Sequence, residues 1–394
     1  MVDLSTKIAG IELRNPVIAA AGPPTQDGEA MVKAAAGGAG GLIAKTISIE
    51  AAAVPRPSMA ALDRGEVLSY TTLALNSRLT RITKANTTIV RGMLNAELWS
   101  DIPYSQWLEK EYKIAKGTGL PLIASIGYTG EELSTIGPLV EKAGVDGLEF
   151  SLHYLGFDYR PILDTARELR DAVEVPIFAK VSPHIMNLPE FAKELERLGV
   201  NGIVAINSLG PCLHIDIETG KPVVGGEGGY GWLSGPAIKP LAVRCVADIA
   251  RAVDIPVIGV GGITSGQDAV EHIMAGASAV QICTGAILEG PSIFGRVSRE
   301  IGRFLEEHGY RSVDDIRGVA LEHLPEEPLR TQAVPAYVDE DLCKACGLCI
   351  KPCIYGAVEG GTEEVKARID RDKCYGCGLC ITICPERAIS FEAY

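Results

Sequence analysis

Positive charge is scarce in this sequence. Lys and Arg total 37 against 50 Asp and Glu, which gives a formal net charge of −13, and the basic residues form no cluster. Because binding to a phosphate backbone requires clustered Lys and Arg, we expect no nucleic-acid partner. Long hydrophobic runs are missing too: no apolar stretch can span a bilayer, and the N-terminus has neither a basic leader region nor a cleavage site. We therefore expect a cytoplasmic protein with no membrane partner.

Paired cysteines of the secreted type are also missing. Cys212, Cys245 and Cys283 are scattered with no pairing pattern, which fits a reducing compartment. The remaining cysteines form two runs near the C-terminus that share the spacing CxxCxxCxxxC. The first run is Cys343, Cys346, Cys349 and Cys353, and the second is Cys374, Cys377, Cys380 and Cys384.

This doubled spacing is typical of ferredoxins with two 4Fe–4S clusters. Each run supplies three thiolates to one cluster and its fourth thiolate to the other. We therefore expect Cys384 to join Cys343, Cys346 and Cys349 on one cluster. Cys353 would join Cys374, Cys377 and Cys380 on the second. Zinc is the alternative metal, since paired CxxC units also bind it, but zinc needs neither a third cysteine at the same spacing nor a distal fourth.

Upstream of the cysteine runs, short apolar segments alternate with longer segments of helical period. Eight of them predict strands, at residues 16–21, 41–47, 121–126, 147–152, 176–181, 202–207, 256–260 and 279–283. Strands this apolar are covered on both faces, and eight within about 300 residues favour a (β/α)8 TIM barrel, with a doubly wound sheet as the alternative. We predict the barrel over residues 1–309, a Pro-rich linker over 310–337 and a ferredoxin-like α+β domain over 338–394.

Polar residues and glycines follow the predicted strands, where the active sites of such barrels lie. Lys45 and Lys180 each sit at a strand end, and lysine is costly to bury unless an anion or an electron-rich ring occupies the site. Alternatively, both are solvated charges at the rim. The last two strands end in glycines, namely Gly261, Gly262 and Gly285, with Thr284 beside Gly285. Backbone N–H groups at these strand ends bind phosphate in such barrels.

Four segments resemble the FMN barrel of the dihydroorotate/dihydropyrimidine dehydrogenase family. They are NPVIAAAG at 15–22, FAKVSP at 178–183, LSGPAIKPLAVRCV at 233–246 and IPVIGVGGITSGQDAVEHIMAGASAVQICTG at 255–285. NAELWSDIPYSQWL at 95–108 is similar to the flavin and pyrimidine site of the dihydropyrimidine dehydrogenase branch, in which two 4Fe–4S clusters follow the barrel. The resemblance implies that FMN is bound by Ala21, Gly22, Lys45, Thr46, Asn95, Lys180, Gly235, Gly261, Gly262, Thr284 and Gly285. It also implies a catalytic role for Lys180, beside the flavin N1 and C2 carbonyl.

The sequence departs from the family in the loop after the fourth strand. Where the family has an Asn-Leu-Ser-Cys type motif, this chain has Ser151, Leu152, His153 and Tyr154. We expect Tyr154 or His153 to act as the proton donor, because a phenol or an imidazole can protonate a carbanion. The alternative is that the aromatic residue only packs. The resemblance implies substrate contacts from Asn95, Glu97, Ser151, Asn207, Ser208 and Cys212, although a lone cysteine such as Cys212 more often serves only in packing.

These features predict a reductase of an activated C=C bond, with hydride transfer from FMN and a side-chain proton donor. The favoured substrate class is that of dihydropyrimidine dehydrogenases. The alternatives are another conjugated or aromatic substrate, such as a thioester, and a non-catalytic electron-transfer subunit. The GxGxxG at 226–231 lacks a surrounding βαβ unit, so we expect no NAD(P) site in this chain. Electrons would come from a ferredoxin or from a separate FAD/NAD(P)-binding subunit, and the resemblance implies a homodimer or higher oligomer.

Overall fold

The chain forms two compact units, Met1–His323 and Leu324–Tyr394. The computed structural model describes residues 2–63, 66–67, 90–151, 158–327, 331–362 and 365–391. The first unit contains the predicted barrel and the second contains both cysteine runs. Residues 310–323, which the sequence places in the linker, belong to the first unit. Val313 and Ile316 are fully buried there, which removes their apolar surface from water.

Eight parallel strands close into a barrel in the order of the chain. The eighth strand pairs with the first, so the sheet has no edge. The predicted TIM barrel is therefore confirmed, and the doubly wound alternative, whose sheet is open, is wrong. Barrel strands one to eight are Val17–Ala19, Gly41–Ile47, Leu122–Ile126, Gly147–Ser151, Ile177–Val181, Gly202–Ala205, Val257–Val260 and Ala279–Ile282.

Helices surround the barrel. Two of them begin with a capping box. The Thr129 side chain accepts from the Glu132 N–H in one helix, and the Ser265 side chain accepts from the Asp268 N–H in the other. The α-helices of this unit are Gly28–Ala36, Tyr104–Gln106, Tyr112–Lys116, Gly130–Lys142, Arg160–Ala172, Leu188–Arg197, Lys239–Ala250, Gly266–Met274, Thr284–Glu289 and Ile293–His308. A π-helix covers Trp107–Glu111, and 3-10 helices cover Pro23–Thr25, Glu227–Gly229, Pro236–Ile238, Asp314–Ile316 and Leu321–His323. Within the described ranges, no helix is both long and apolar enough to cross a membrane.

The barrel interior next to the N-terminal hairpin is apolar. The hairpin of strands Thr6–Ile8 and Ile11–Leu13 contributes side chains to the same cluster as the inward-facing residues of the barrel strands. Phe178 is the largest of these, and a Cβ added at Gly202 would lie 2.7 Å from its ring. The neighbouring strand therefore has glycine at that position, because interiors pack at crystal density and cannot absorb an extra carbon.

An antiparallel sheet stands beside the C-terminal ends of the barrel strands. Its strands are Met59–Asp63, Glu66–Val67, Gly92–Asn95, Leu209–Cys212 and Gly231–Ser234, and a hairpin of Ile215–Asp216 and Lys221–Pro222 extends from it. Three of these strands belong to the long connection between barrel strands two and three. That connection therefore contains regular structure that the sequence did not predict, because strands of two to five residues give too little periodicity to detect.

The second unit is small and built from short elements. Its strands Ala336–Val338 and Ile389–Phe391 pair with each other, as do Val358–Glu359 and Arg368–Ile369, and one α-helix covers Leu379–Ile383. Cys343 and Cys349 are buried in its core together with Ala336, Ala367 and Ile389. A unit of this size buries little apolar surface, so the metal clusters predicted from its cysteine spacing would contribute to its folding.

Candidate active site

A cavity of about 1070 Å³, a volume that includes its open mouth, lies at the C-terminal ends of the barrel strands. This is the end at which TIM-barrel enzymes carry their active sites. The predicted site residues that line it are Ala21, Gly22, Lys45, Thr46, Asn95, Glu97, Ser151, Lys180, Asn207, Ser208, Gly235, Gly261, Gly262, Thr284 and Gly285. Residues separated by up to 264 positions, from Ala21 to Gly285, thus meet in one site.

The floor of the cavity holds a buried ionic group that the sequence did not predict. Glu149, from barrel strand four, is completely buried, and its Oε2 accepts from Gln281 Nε2 at 2.7 Å. Its Oε1 lies 3.4 Å from Lys180 Nζ, which is also 3.4 Å from Gln281 Oε1. We name Glu149, Lys180 and Gln281 the floor triad. A polar residue at an inward-facing position of three otherwise apolar strands is the signal that could have identified it.

A second ion pair lies on the wall of the cavity. Lys45 Nζ donates to Glu97 Oε2 at 2.7 Å, and both side chains are largely buried. Burial by itself would raise the pKa of Glu97, but the hydrogen bond and the charge of Lys45, with smaller contributions from Ser58 and Arg56, outweigh it and hold that pKa below its usual value. Glu97 is therefore a carboxylate at neutral pH, and the charge of Lys45 is already compensated by it.

Glycines form another part of the wall. Gly262 has a φ of +77°, and a Cβ there would lie 2.5 Å from Lys239 Cβ. Gly261 precedes it, and its carbonyl oxygen lies 3.1 Å from Nε2 of the buried His272. A positive φ with no space for a side chain leaves glycine as the residue that fits, so the backbone itself lines the cavity here.

Hydroxyl and amide groups complete the wall. Thr284 Oγ1 donates to Ser234 Oγ at 2.9 Å, and the hydroxyls of Thr46 and Ser125 are 2.7 Å apart. Asn95 Nδ2 donates to the Trp232 carbonyl at 2.9 Å, which joins two strands of the antiparallel sheet. The amide of Asn95 thus holds the wall in place as well as lining it.

Asn207 and Ser151 form the side of the cavity that follows barrel strands four and six. Asn207 Nδ2 donates to Ser151 Oγ at 2.9 Å, and Asn207 Oδ1 accepts from the Ser208 N–H at 2.8 Å. Cys212 does not line the cavity in the described part of the chain; it is half-buried and packs beside Leu94 and Val224. The predicted donors His153 and Tyr154 lie at 152–157, outside the described residues.

Cys283 is a lining residue that the sequence analysis did not assign to the site. Burial raises the pKa of its thiol to about 11, and the positive charges of Lys180 and Lys45 offset only part of that rise. The thiol is therefore neutral at physiological pH. A Cβ at Gly22 would lie 2.7 Å from Cys283 Sγ, so this side chain closes the cavity between barrel strands one and eight.

The eight cysteines of the second unit surround two small cavities. Cys343, Cys346, Cys349 and Cys384 line one, of about 340 Å³, and Cys353, Cys374, Cys377 and Cys380 line the other, of about 370 Å³. The structure thus groups the thiols as the crossed ferredoxin pattern predicts. Four thiols border each cavity, the number that ligates one 4Fe–4S cluster.

The barrel cavity likewise fits FMN. Its glycine wall leaves space that a Cβ would fill, its hydroxyls and backbone can pair with a phosphate, and two lysines line the space that an electron-rich ring would occupy. The lining contains Lys45, Lys180, Glu97 and Glu149, so the charged side chains of the described lining balance. The lining therefore carries no excess positive charge. An anion that binds there must be held mainly by uncharged hydrogen-bond donors.

We predict that His272 makes the stability of the barrel depend on pH. Its Nε2 faces a carbonyl and must carry the hydrogen, while Nδ1 is buried with no hydrogen-bond partner among the described residues. Burial lowers the pKa of His272 to about 4. The unfolded chain, with a histidine pKa near 6.5, therefore binds this proton first, and the stability contributed by neutral His272 is lost as pH falls below about 6.5.

The test compares wild type with H272N, which keeps an N–H donor and does not titrate. The free energy of unfolding of wild type, measured relative to H272N in urea, should fall by about 1.6 kcal/mol between pH 6.5 and pH 5. All other groups titrate alike in the two proteins, so parallel pH profiles would show that His272 carries no such linkage.

Comparison with known proteins identifies the family of the chain. A family model described as dihydroorotate dehydrogenase matches residues 157–305, and one described as a 4Fe-4S dicluster domain matches 335–385, which favours clusters over zinc. The chain is 35% identical over 327 residues to the dihydroorotate dehydrogenase B (NAD(+)) catalytic subunit of Methanothermobacter thermautotrophicus, covering 80% of this chain and 98% of the relative. The same subunit of Pyrococcus abyssi is 35% identical over 333 residues, covering 81% of this chain and 99% of the relative. The chain belongs to the dihydroorotate dehydrogenase family and is an oxidoreductase that acts on CH–CH bonds with FMN and two 4Fe–4S clusters as cofactors.

Proposed function

We propose that this chain reduces the activated C=C bond of an uncharged pyrimidine, as dihydropyrimidine dehydrogenases do. The observation that carries the proposal is the Lys45–Glu97 ion pair on the cavity wall. The relatives are named for dihydroorotate, which is a dihydropyrimidine with an added carboxylate. The choice between the two substrate classes is therefore a choice between a ring with that negative charge and a ring without it.

A carboxylated substrate is disfavoured by the charges of this cavity. Glu97 is ionised, Lys45 is paired with it at 2.7 Å, and Lys180 faces Glu149. A substrate carboxylate would have to compete with Glu97 for Lys45, and like charges in an interface cost several kcal/mol. An imide ring instead offers N–H donors, which carboxylate and amide oxygens accept. Glu97 thus favours the neutral pyrimidine and penalises the acid, and both effects contribute to specificity.

The extent of the matches supports the same substrate class. The relatives align over 98–100% of their own length but over only 80–82% of this chain. About a fifth of the chain therefore lies outside those alignments, which leaves room for the 51 residues of the cluster domain at 335–385. This chain carries iron–sulfur clusters together with the barrel, the architecture that the resemblance to dihydropyrimidine dehydrogenases implies.

We assign the residues of the cavity to the cofactor as follows. Gly261, Gly262, Thr284 and Gly285 would pair with the FMN phosphate, and Lys180 would contact the ring at N1 and the C2 carbonyl. When bound, FMN supplies the two electrons and the hydride of the reduction. Ala21, Gly22, Thr46, Asn95 and Gly235 would orient the ring, while Glu97, Ser151, Asn207 and Ser208 would hold the substrate against it. Cys212 stays a predicted substrate contact.

The electron donor of this chain is proposed to be a separate protein. The relatives' names describe each as a catalytic subunit of an NAD(+)-dependent enzyme, and this chain has no predicted NAD(P) site of its own. A ferredoxin, or a subunit that binds FAD and NAD(P), would deliver electrons to the clusters, which pass them to FMN. We propose that the chain acts as a homodimer or higher oligomer.

The proposed cluster ligation predicts which double variants lose both clusters. C384S should remove the cluster of Cys343, Cys346 and Cys349, and iron should fall from about eight to about four atoms per chain. Adding C343S to C384S should cause no further loss, whereas adding C374S should remove the remaining iron. Iron and sulfide assays with EPR of the reduced protein measure this, with C212S as the control that keeps both clusters. The crossed ligation is wrong if C374S is the substitution that adds nothing.

The proposed substrate class predicts the outcome of an anaerobic assay. The reduced protein should be reoxidised by uracil or thymine, with formation of the dihydropyrimidine, and only slowly by orotate. E97Q should raise the kcat/KM ratio of orotate to uracil by about tenfold or more, because one like charge is removed. E307Q, an exposed Glu→Gln change, is the matched control. Fast oxidation by orotate in wild type would contradict the proposal; oxidation by an enoyl thioester alone, or only by a protein partner, would indicate one of the alternative functions.

We propose Tyr154 or His153 as the proton donor to the carbon next to the one that receives the hydride. Y154F should lower kcat by about 100-fold or more, a typical contribution of general acid catalysis, while FMN content and the flavin spectrum stay unchanged. H153N is tested in parallel by single-turnover reduction of uracil. The variant that loses turnover identifies the donor, and full activity in both variants would remove both residues from the chemistry.

A further inference from the structure

The floor triad separates the cavity from the apolar interior of the barrel. Glu149 and Gln281 line the cavity above and also a small void below, whose other lining residues are apolar, Phe178 and Val204 among them. Glu149 is 0% exposed, Gln281 1% and Lys180 7%. Charges in such a position are screened little by water, so the carboxylate of Glu149 acts strongly on anything that binds above it.

The contacts within the floor triad are unequal. The amide of Gln281 holds the Glu149 carboxylate at 2.7 Å, the distance of a strong hydrogen bond, whereas the ammonium of Lys180 stands 3.4 Å from both of its partners. Gln281 therefore anchors the carboxylate, and the carboxylate attracts the ammonium from below. Lys180 also lines the cavity, so its charge is shared between Glu149 and whatever the cavity holds.

We propose that Glu149 is a positioning residue that acts on FMN through Lys180. It holds the ammonium at the cavity floor and compensates part of its charge, which keeps the midpoint potential of bound FMN lower than Lys180 alone would set it. Reduction adds negative charge to the ring, and a fully uncompensated ammonium would favour that state. The inference rests on the proposed contact between Lys180 and FMN, and it assigns a function to a buried acid that makes no contact with substrate in the proposed mechanism.

The main test is the E149Q variant, which keeps the shape of the side chain and removes its charge. The ratio of the affinities for reduced and oxidised FMN should rise about tenfold or more, which corresponds to a positive shift of about 30 mV for a two-electron couple. The measurement is an anaerobic redox titration of the holoprotein, followed by flavin difference spectra. E111Q is the matched control: Glu111 is also a buried acid, bonded to the Gly28 N–H at 2.8 Å away from the cavity, and its loss should leave the ratio unchanged.

A second set of variants separates positioning from mere packing. Q281M keeps both charges and loses the anchor, so the affinity ratio should change less than threefold even if the protein is less stable. In a K180Q background, E149Q should shift the ratio by less than a third of its effect in wild type. An equal shift in that background, or an E149Q protein with the wild-type ratio, would overturn the role of Glu149 through Lys180.

The same titrations separate failure of this inference from failure of the proposed site. If K180Q alone leaves both the potential and the affinity for FMN unchanged, the contact between Lys180 and FMN is wrong, and the inference falls with it. If K180Q lowers the potential while E149Q does nothing, the FMN site stands and only the role of Glu149 is lost. If E149Q does not fold, E149D in the folded holoprotein provides the test, because the shorter side chain withdraws the carboxylate from Lys180. The ratio should then rise, and an unchanged ratio would overturn the role of Glu149.

Discussion

The pairing of buried charges at the end of the barrel is the constraint on which the rest of the site depends. Each lysine of the described lining has a carboxylate partner: Lys45 has Glu97 on the wall, and Lys180 has Glu149 on the floor. A lysine without such a partner would pay a large desolvation cost at this depth. The pairing lets two fixed positive charges face the cavity while its lining stays neutral, so geometry and hydrogen-bond donors decide what binds.

The barrel and the cluster unit contribute different parts of the chemistry. The barrel brings residues from all eight strand ends to one cavity, so a single rigid scaffold positions cofactor and substrate. The second unit is built around its thiols and has little apolar core of its own. Family membership accounts for FMN, and the match of residues 335–385 to a 4Fe-4S dicluster domain accounts for the clusters. The charge on the cavity wall is the property that distinguishes the proposed substrate from the one for which the relatives are named.

Much of the fold and part of the site could be predicted from the sequence. Every end of the eight barrel strands was predicted to within two residues, because buried parallel strands are continuously apolar and end in turns. The predicted FMN and 4Fe–4S cofactors are confirmed, as is membership in the dehydrogenase family, whereas the dihydropyrimidine branch stays a prediction. The roles of Lys180, Tyr154 and His153 likewise stay predictions. The floor triad was missed because its members are far apart in the chain, and periodicity does not show which inward-facing residues meet.

The sequence by itself determined the class of architecture and the iron–sulfur clusters, because strand periodicity and thiolate spacing are local properties of a chain. FMN was implied by the resemblance of four segments to a known family. The tertiary structure alone decided which charges neutralise each other. Lys180 and Gln281 are 101 positions apart, and Glu149 and Gln281 are 132 apart, yet closure of the barrel brings all three within hydrogen-bond reach. The electrostatic state of the cavity depends on distances across the barrel interior, and those distances exist only once the sheet has closed.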